Sequence, residues 1–270
     1  MSTACPNSDL GFMAQVLVQF TLPHKAPAAS EFSRSNGHSI LTITAPSHIG
    51  LPYGRYPRII LAWLSTEVVR RRSPVIHLGR SLSSFMRAAG VEGLSTGGPN
   101  GSLTRFSNQL RRLFASTIHC SQCRADGSVS IDSGFSLSRK AVLWWTPSLP
   151  QSVSLFGSYV ELSEEFYSSI VEHPVPVDLR VLRELRSPFA LDIYIWLTYR
   201  MSYLRQPCKI PWHLLERQFG ADYSSLRHFR AAFLGHAVRI QKLYPAVRLA
   251  ASHRSLILFP SPTHIPQAKP

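Results

Sequence analysis

The chain has 270 residues, room for two ordinary domains, and 44% of them are apolar, which excludes a chain that is disordered throughout. Lys and Arg number 29 against 15 Asp and Glu, a net charge of +14 that points to a polyanionic partner. No apolar run approaches the roughly 20 residues of a membrane span, so no membrane partner is expected.

Residues 1–50 are expected to form a small N-terminal β layer. Residues 15–22 and 40–44 alternate apolar and polar side chains, as half-buried strands do. Residues 23–30 form a Pro/Ala turn region, and Ser35-Asn36-Gly37 is a hairpin signal. Asp9, rather than Lys or Arg, precedes the apolar patch at 10–20, so the segment does not read as a secretory signal and a cytoplasmic protein is expected.

Residues 51–150 form a first module. Pro57 suits a first helical turn, and Ile59, Ile60, Trp63, Leu64 and Val68 follow at helical spacing as core. Arg70, Arg71 and Arg72 either complement the dipole at the helix end or form a phosphate clamp, the first reading being favoured. Ser81 caps a short helix that Gly90 stops. A Gly-rich loop over 94–101 is not a nucleotide-phosphate loop, because no Gly-Lys-Ser/Thr follows. Ser102 is expected to cap the next helix. Its apolar stripe is Leu103, Phe106, Leu110, Leu113 and Phe114, and the other side carries Thr104, Arg105, Asn108, Arg111 and Arg112. Residues 129–145 then read as a hairpin turning at Ser133-Gly134, with Arg139 and Lys140 on its second strand.

Residues 151–186 are a connecting segment: a short strand, a helix capped by Ser163, a break at Pro174 and Pro176, and a short helix capped by Asp178. Residues 187–265 repeat the first module's order. Ser187-Pro188 starts a helix with Phe189, Ile193, Trp196, Leu197 and Met201 on its buried face. Pro211 opens a short helix that ends at Gly220. Asp222 is expected to cap a long helix whose buried face is Leu226, Phe229, Phe233, Ala237 and Ile240, with Arg227, His228 and Arg230 elsewhere on its N-terminal half. Gly235 inside it suggests close backbone packing or a kink. Residues 247–251 and 255–259 form the second hairpin, with Arg254 at its tip.

Helix, short helix, basic helix and hairpin, twice over, define an α+β fold of two tandem winged-helix modules. A recognition helix needs one apolar side to dock and one hydrogen-bonding side to enter the major groove. Arg pairs bidentately with guanine and Asn with adenine. Arg105, Asn108 and Arg112 share a face at i, i+3 and i+7, and Arg227 and Arg230 repeat the i, i+3 spacing. Arg139, Lys140 and Arg254 are placed to reach neighbouring phosphates or the minor groove. No metal is expected: Cys120 and Cys123 form a single CxxC with no second ligand pair. No cofactor or catalytic role is expected either. An origin-nicking nuclease needs a His-apolar-His pair or a carboxylate cluster for its metal, and none occurs among the eleven His. A plain transcriptional repressor using the same two modules fits the same residues.

Several long runs carry a resemblance to a family. They are residues 31–37, Gly50-Leu51-Pro52-Tyr53-Gly54-Arg55-Tyr56-Pro57-Arg58, Leu61-Ala62-Trp63-Leu64, Ser187-Pro188-Phe189-Ala190-Leu191-Asp192-Ile193-Tyr194, residues 196–204, residues 218–223 and Phe229-Arg230. Over about residues 10–265 the chain resembles the RepA-type plasmid replication initiators, the family named for its RepA C-terminal region. The resemblance implies an initiator that binds direct repeats in double-stranded DNA at a plasmid origin, helps open the duplex and recruits host replication proteins. It also implies a homodimer that restrains initiation, and thereby copy number, or represses its own gene.

Overall fold

The computed structural model describes residues 9–36, 39–91, 96–123, 129–143, 157–220 and 223–266. Strand β1 (Leu10–Ala14) runs directly into helix α1 (Gln15–Gln19), where a strand was expected. Gln15 and Gln19, four residues apart, both donate to the Tyr199 hydroxyl, at 2.7 and 3.3 Å. The polar positions therefore follow the helical repeat, not the period of two. Strands β2 (Glu31–Ser35) and β3 (Ser39–Thr44) form the N-terminal hairpin. Its turn is closed by the Ser39 N–H donating to Asn36 Oδ1 at 2.9 Å, and Gly37 lies outside the described residues.

The first module begins with α2 (Arg55–Arg71), β4 (Val75–Gly79) and α3 (Leu82–Ala88). Ser81 caps α3 by accepting from the Ser84 N–H, and Gly90 leaves it at φ 77°. Helix α4 (Ser102–Phe114) follows, with Gly101 rather than Ser102 at its N-cap. The Ser102 hydroxyl instead accepts from the Thr96 N–H at 3.2 Å, closing the preceding loop.

The hairpin expected over 129–145 is not formed. The chain makes β5 (Thr117–Cys123), β6 (Val129–Ser136), β7 (Ser138–Val142) and β8 (Ser158–Leu162). Strands β5 and β6 pair with each other, and β3 adds to β5, giving a sheet ordered β2–β3–β5–β6. Gly134 is not a turn residue. It sits opposite His119, and a Cβ there would stand 2.5 Å from His119 Nδ1, so glycine admits the imidazole. The true wing is β7–β8, in a sheet ordered β4–β8–β7. Trp145 lies outside the described residues.

Ser163 caps α5 (Glu164–Glu172) by accepting from the Phe166 N–H. Pro174 and Pro176 do not break the chain but lie in β9 (Pro174–Asp178), paired antiparallel with β1. In a two-stranded ladder every second N–H points away from the partner, so prolines two apart can avoid the bonded positions. Asp178 caps α6 (Leu179–Glu184) through the Arg180 N–H.

The second module comprises α7 (Pro188–Tyr203), β10 (Cys208–Pro211), α8 (Trp212–Phe219), α9 (Leu226–Leu243), β11 (Arg248–Ala251) and β12 (Ser255–Phe259). Its sheet is ordered β10–β12–β11, the order of the first module's β4–β8–β7. The fold is thus α+β with two winged-helix modules, the first carrying β5–β6 as an insertion between α4 and the wing. Helix α9 starts three residues later than expected: Ser225 caps it through the His228 N–H, and Asp222 lies outside the described residues. Leu226, expected on the buried face, is 41% exposed, while Phe229, Phe233, Ala237 and Ile240 are buried.

Gly235 marks no close approach. It is exposed, and a Cβ there would meet nothing within 4 Å. Gly235→Ala is accordingly expected to stabilise the protein by up to about 1 kcal/mol, read as a higher denaturation midpoint. An unchanged midpoint would mean that α9 carries a local distortion favouring glycine.

One core joins the modules. Trp196 is 3% exposed and meets Phe219 edge-on, whereas Trp63 is only part-buried, its ring against Phe85 at 4.9 Å. Between α2 and α7 lies a buried ion pair. Arg58 donates to both carboxylate oxygens of Asp192, at 2.6 and 2.7 Å, and its remaining N–H groups reach the carbonyls of Leu22, Pro23 and Gly54. His24 Nε2 completes the cluster 2.8 Å from Asp192 Oδ2.

Candidate nucleic-acid interface

Each basic helix is held by an apolar face that leaves its other side to solvent. On α4, Leu103, Phe106, Leu110 and Leu113 are fully buried, and Arg105, Asn108 and Arg111 are exposed. Thr104 and Arg112 are engaged within the protein. The Thr104 hydroxyl donates to the Gly98 carbonyl at 2.7 Å. Arg112 donates to the Leu51 carbonyl at 3.1 Å, and its guanidinium lies 5.3 Å from the Tyr53 ring centre. The face shared by Arg105, Asn108 and Arg112 is therefore free at its first two members, with Arg111 beside them.

On α9, Arg227 and His228 are exposed in the first turn. The His228 ring stays close to the cap, with Nδ1 2.8 Å from the Ser224 hydroxyl and 3.2 Å from that of Ser225. Arg230 is half-buried: its guanidinium lies 5.9 Å from the Trp212 ring centre and donates to the His253 carbonyl at 3.4 Å. That contact ties α9 to the tip of the β11–β12 wing, where Arg254 is exposed. In the first wing, Arg139 is 78% exposed and 3.5 Å from Glu161, while Lys140 Nζ stands 5.8 Å from the Tyr159 ring centre. Arg105, Arg111, Arg227 and Arg254 take part in no ion pair among the described residues. Their charges face water, available to a polyanion.

Sequence reasoning missed the Arg58–Asp192–His24 cluster that fixes the two modules together. Its signal was present: Arg58 ends the run from Gly50, and Asp192 stands in the run from Ser187, two of the longest stretches behind the family resemblance. Among the described residues no helix is long and apolar enough to cross a membrane.

The architecture is that of a tandem winged-helix protein with an exposed basic helix in each module. The model of the family of plasmid-encoded RepA proteins matches residues 51–212, more than half of the chain, and the chain belongs to that family. The match takes in the first module, the Arg58–Asp192 pair and α7, and ends before α9. Among solved structures, domains 2 and 3 of RctB are similar in fold, with a TM-score of 0.54 at 9% identity, over 90% of this chain and 96% of that one. No curated protein matches the sequence.

Proposed function

We propose that this chain is a sequence-specific double-stranded DNA-binding protein that initiates plasmid replication by binding direct repeats at an origin and helping to open the duplex. It works in the cytoplasm, without catalysis of its own, together with host replication proteins, and it self-associates to restrain initiation. The observation that carries the reading is the pair of basic helices, each on a winged-helix scaffold, in a member of the plasmid-encoded RepA family. In such a module the helix N-terminal half enters the major groove while the wing meets the backbone. Arg105 and Asn108 on α4, and Arg227 and His228 on α9, stand where base edges are read. Arg139, Lys140 and Arg254 stand where phosphates are met.

The test is footprinting of the purified protein on the DNA flanking its own gene, at two salt concentrations. Successive protected direct repeats with a steep salt dependence support the reading. A single protected promoter palindrome would make the protein a repressor instead. Arg105→Ala is expected to weaken repeat binding by about 1–3 kcal/mol and to relax the preference at one base position. Equal weakening on every sequence would mark Arg105 as a phosphate contact.

A further inference from the structure

A cleft of about 390 Å³ lies where the recognition helix of the first module meets the start of the second. Four arginines line it: Arg55 at the start of α2, Arg105 and Arg112 on α4, and Arg186 just before α7. No carboxylate is among the lining residues, and none of the four arginines enters an ion pair among the described residues. Arg55 is held in place by neutral groups. It donates to the carbonyls of Leu185 and Arg183 at 3.1 and 2.9 Å, and more weakly to that of Leu182. Arg112 is held in the same way by Leu51 and the Tyr53 ring. Carbonyls satisfy hydrogen bonds without cancelling charge, so two pinned guanidiniums and two solvent-facing ones share one concavity. Burial, and then the neighbouring Arg186 charge, lower the pKa of the Arg55 guanidinium, so the cluster repels itself. The 17-residue α2 also opens onto this cleft with no side chain capping its first turn, which adds the positive end of a helix dipole.

We propose that this cleft is a phosphate site that holds the DNA backbone at the junction of the two modules. It rests on the reading of the chain as a double-stranded DNA-binding protein. A phosphodiester seated there takes the charge of Arg55 and Arg186 on a strand whose bases Arg105 and Asn108 face, so one strand is gripped by the first module and by the segment that leads into the second. The same chemistry would admit free inorganic phosphate, and the test separates the two.

Arg186 is the residue to change: it is exposed and has no hydrogen-bond or ion-pair partner among the described residues. Binding of the wild type, Arg186→Ala and Arg186→Lys to the gene-flanking duplex and to an unrelated duplex is titrated over a series of salt concentrations. Loss of one phosphate contact lowers the slope of log affinity against log salt by about 0.9, so that a fourfold salt range changes affinity roughly three- to fourfold less. The proposal expects that loss for Arg186→Ala on both duplexes, near-wild-type behaviour for Arg186→Lys, and unaltered sequence preference. An unchanged slope for Arg186→Ala, with Arg105→Ala still relaxing specificity, overturns this inference and leaves the DNA reading standing. An unchanged slope together with a wild-type melting temperature that rises in millimolar inorganic phosphate, and an Arg186→Ala one that does not, makes the cleft a site for the free ion and overturns it too. A wild type that binds neither duplex overturns the DNA reading and this inference together.

Discussion

Asp192→Ala is expected to cost the fold about 3–5 kcal/mol, read in a guanidinium melt. Arg58 is 3% exposed, and each of its five N–H donors has a partner, two of them the oxygens of Asp192. Removing the carboxylate leaves a guanidinium buried between α2 and α7 with nothing to offset its charge. Replacing both partners at once, Arg58→Met with Asp192→Leu, should recover most of the loss, because the cost lies in the stranded charge more than in the lost pair. A single-mutant cost below about 1 kcal/mol would mean that water reaches Arg58.

The cluster also sets a pH dependence. Burial alone would raise the Asp192 pKa, but Arg58 and then His24 outweigh it and hold the carboxyl below its ordinary 3.8. A depressed carboxylate contributes stability that is fully present above pH 3.8 and is lost as pH falls through the lower folded value. Burial also lowers His24 below its ordinary 6.5, against the pull of Asp192. Below pH 6.5 the unfolded chain takes up that proton before the folded one, so stability declines there as well. Acid titration of stability should therefore begin to fall near pH 6.5, where His236 and His264, also lowered by burial, add to His24, and fall again below 3.8, and Asp192→Asn should remove the lower step. A flat profile from pH 7 to 5 would remove His24 from the account.

Phe189→Ala is expected to cost a similar 3–5 kcal/mol, through lost burial and the void left behind. The ring is 3% exposed and central to an aromatic cluster. Its centroid lies 5.3 Å from His24, 5.7 Å from Phe229, 5.9 Å from Phe233 and 6.1 Å from Phe219. Those partners come from the N-terminal segment, α8 and α9, so one truncation loosens the seat of α9. Phe189→Leu, closer in volume, should cost under about 1.5 kcal/mol. If the alanine variant melts like the wild type, α9 is held mainly by Trp212 and its wing, not by α7.

What could be read from the chain followed from local chemistry. The helices α4 and α9 carry apolar stripes, α2 and α7 are buried almost all round, and Ser81, Ser163, Asp178 and Ser187 cap where their side chains predict. The second module was legible almost entirely because its hairpin is closed by neighbours in sequence. The first was not. Its wing partner for β7 lies beyond residues 144–156, and β5 draws its other neighbour from residues 39–44. Strand pairing at that separation leaves no trace in periodicity, so Arg139 and Lys140 were placed on a wing strand but with the wrong partner. The short strands β4 and β10 escaped notice for the same reason: each is defined by a distant partner strand. On the interface, composition marked Arg105 and Arg112 alike. Only the fold separates them, by turning Arg112 onto Leu51 and Tyr53.

The pairing of β1 with β9 has a consequence for how the protein is made. Strand β1 needs residues 174–178, α1 docks on α7, and His24 needs Asp192. Residues 10–24 thus wait for partners made far later in the chain, the Tyr199 hydroxyl bonded by Gln15 and Gln19 among them. At translation rates of about 5–20 residues per second that wait is on the order of ten to thirty seconds. During it the edge of β1 that β9 pairs stays open, beside Met13, Ala14, Val18 and Phe20, which are all buried in the finished molecule. An open strand edge beside apolar side chains is exposed to misassociation throughout that interval.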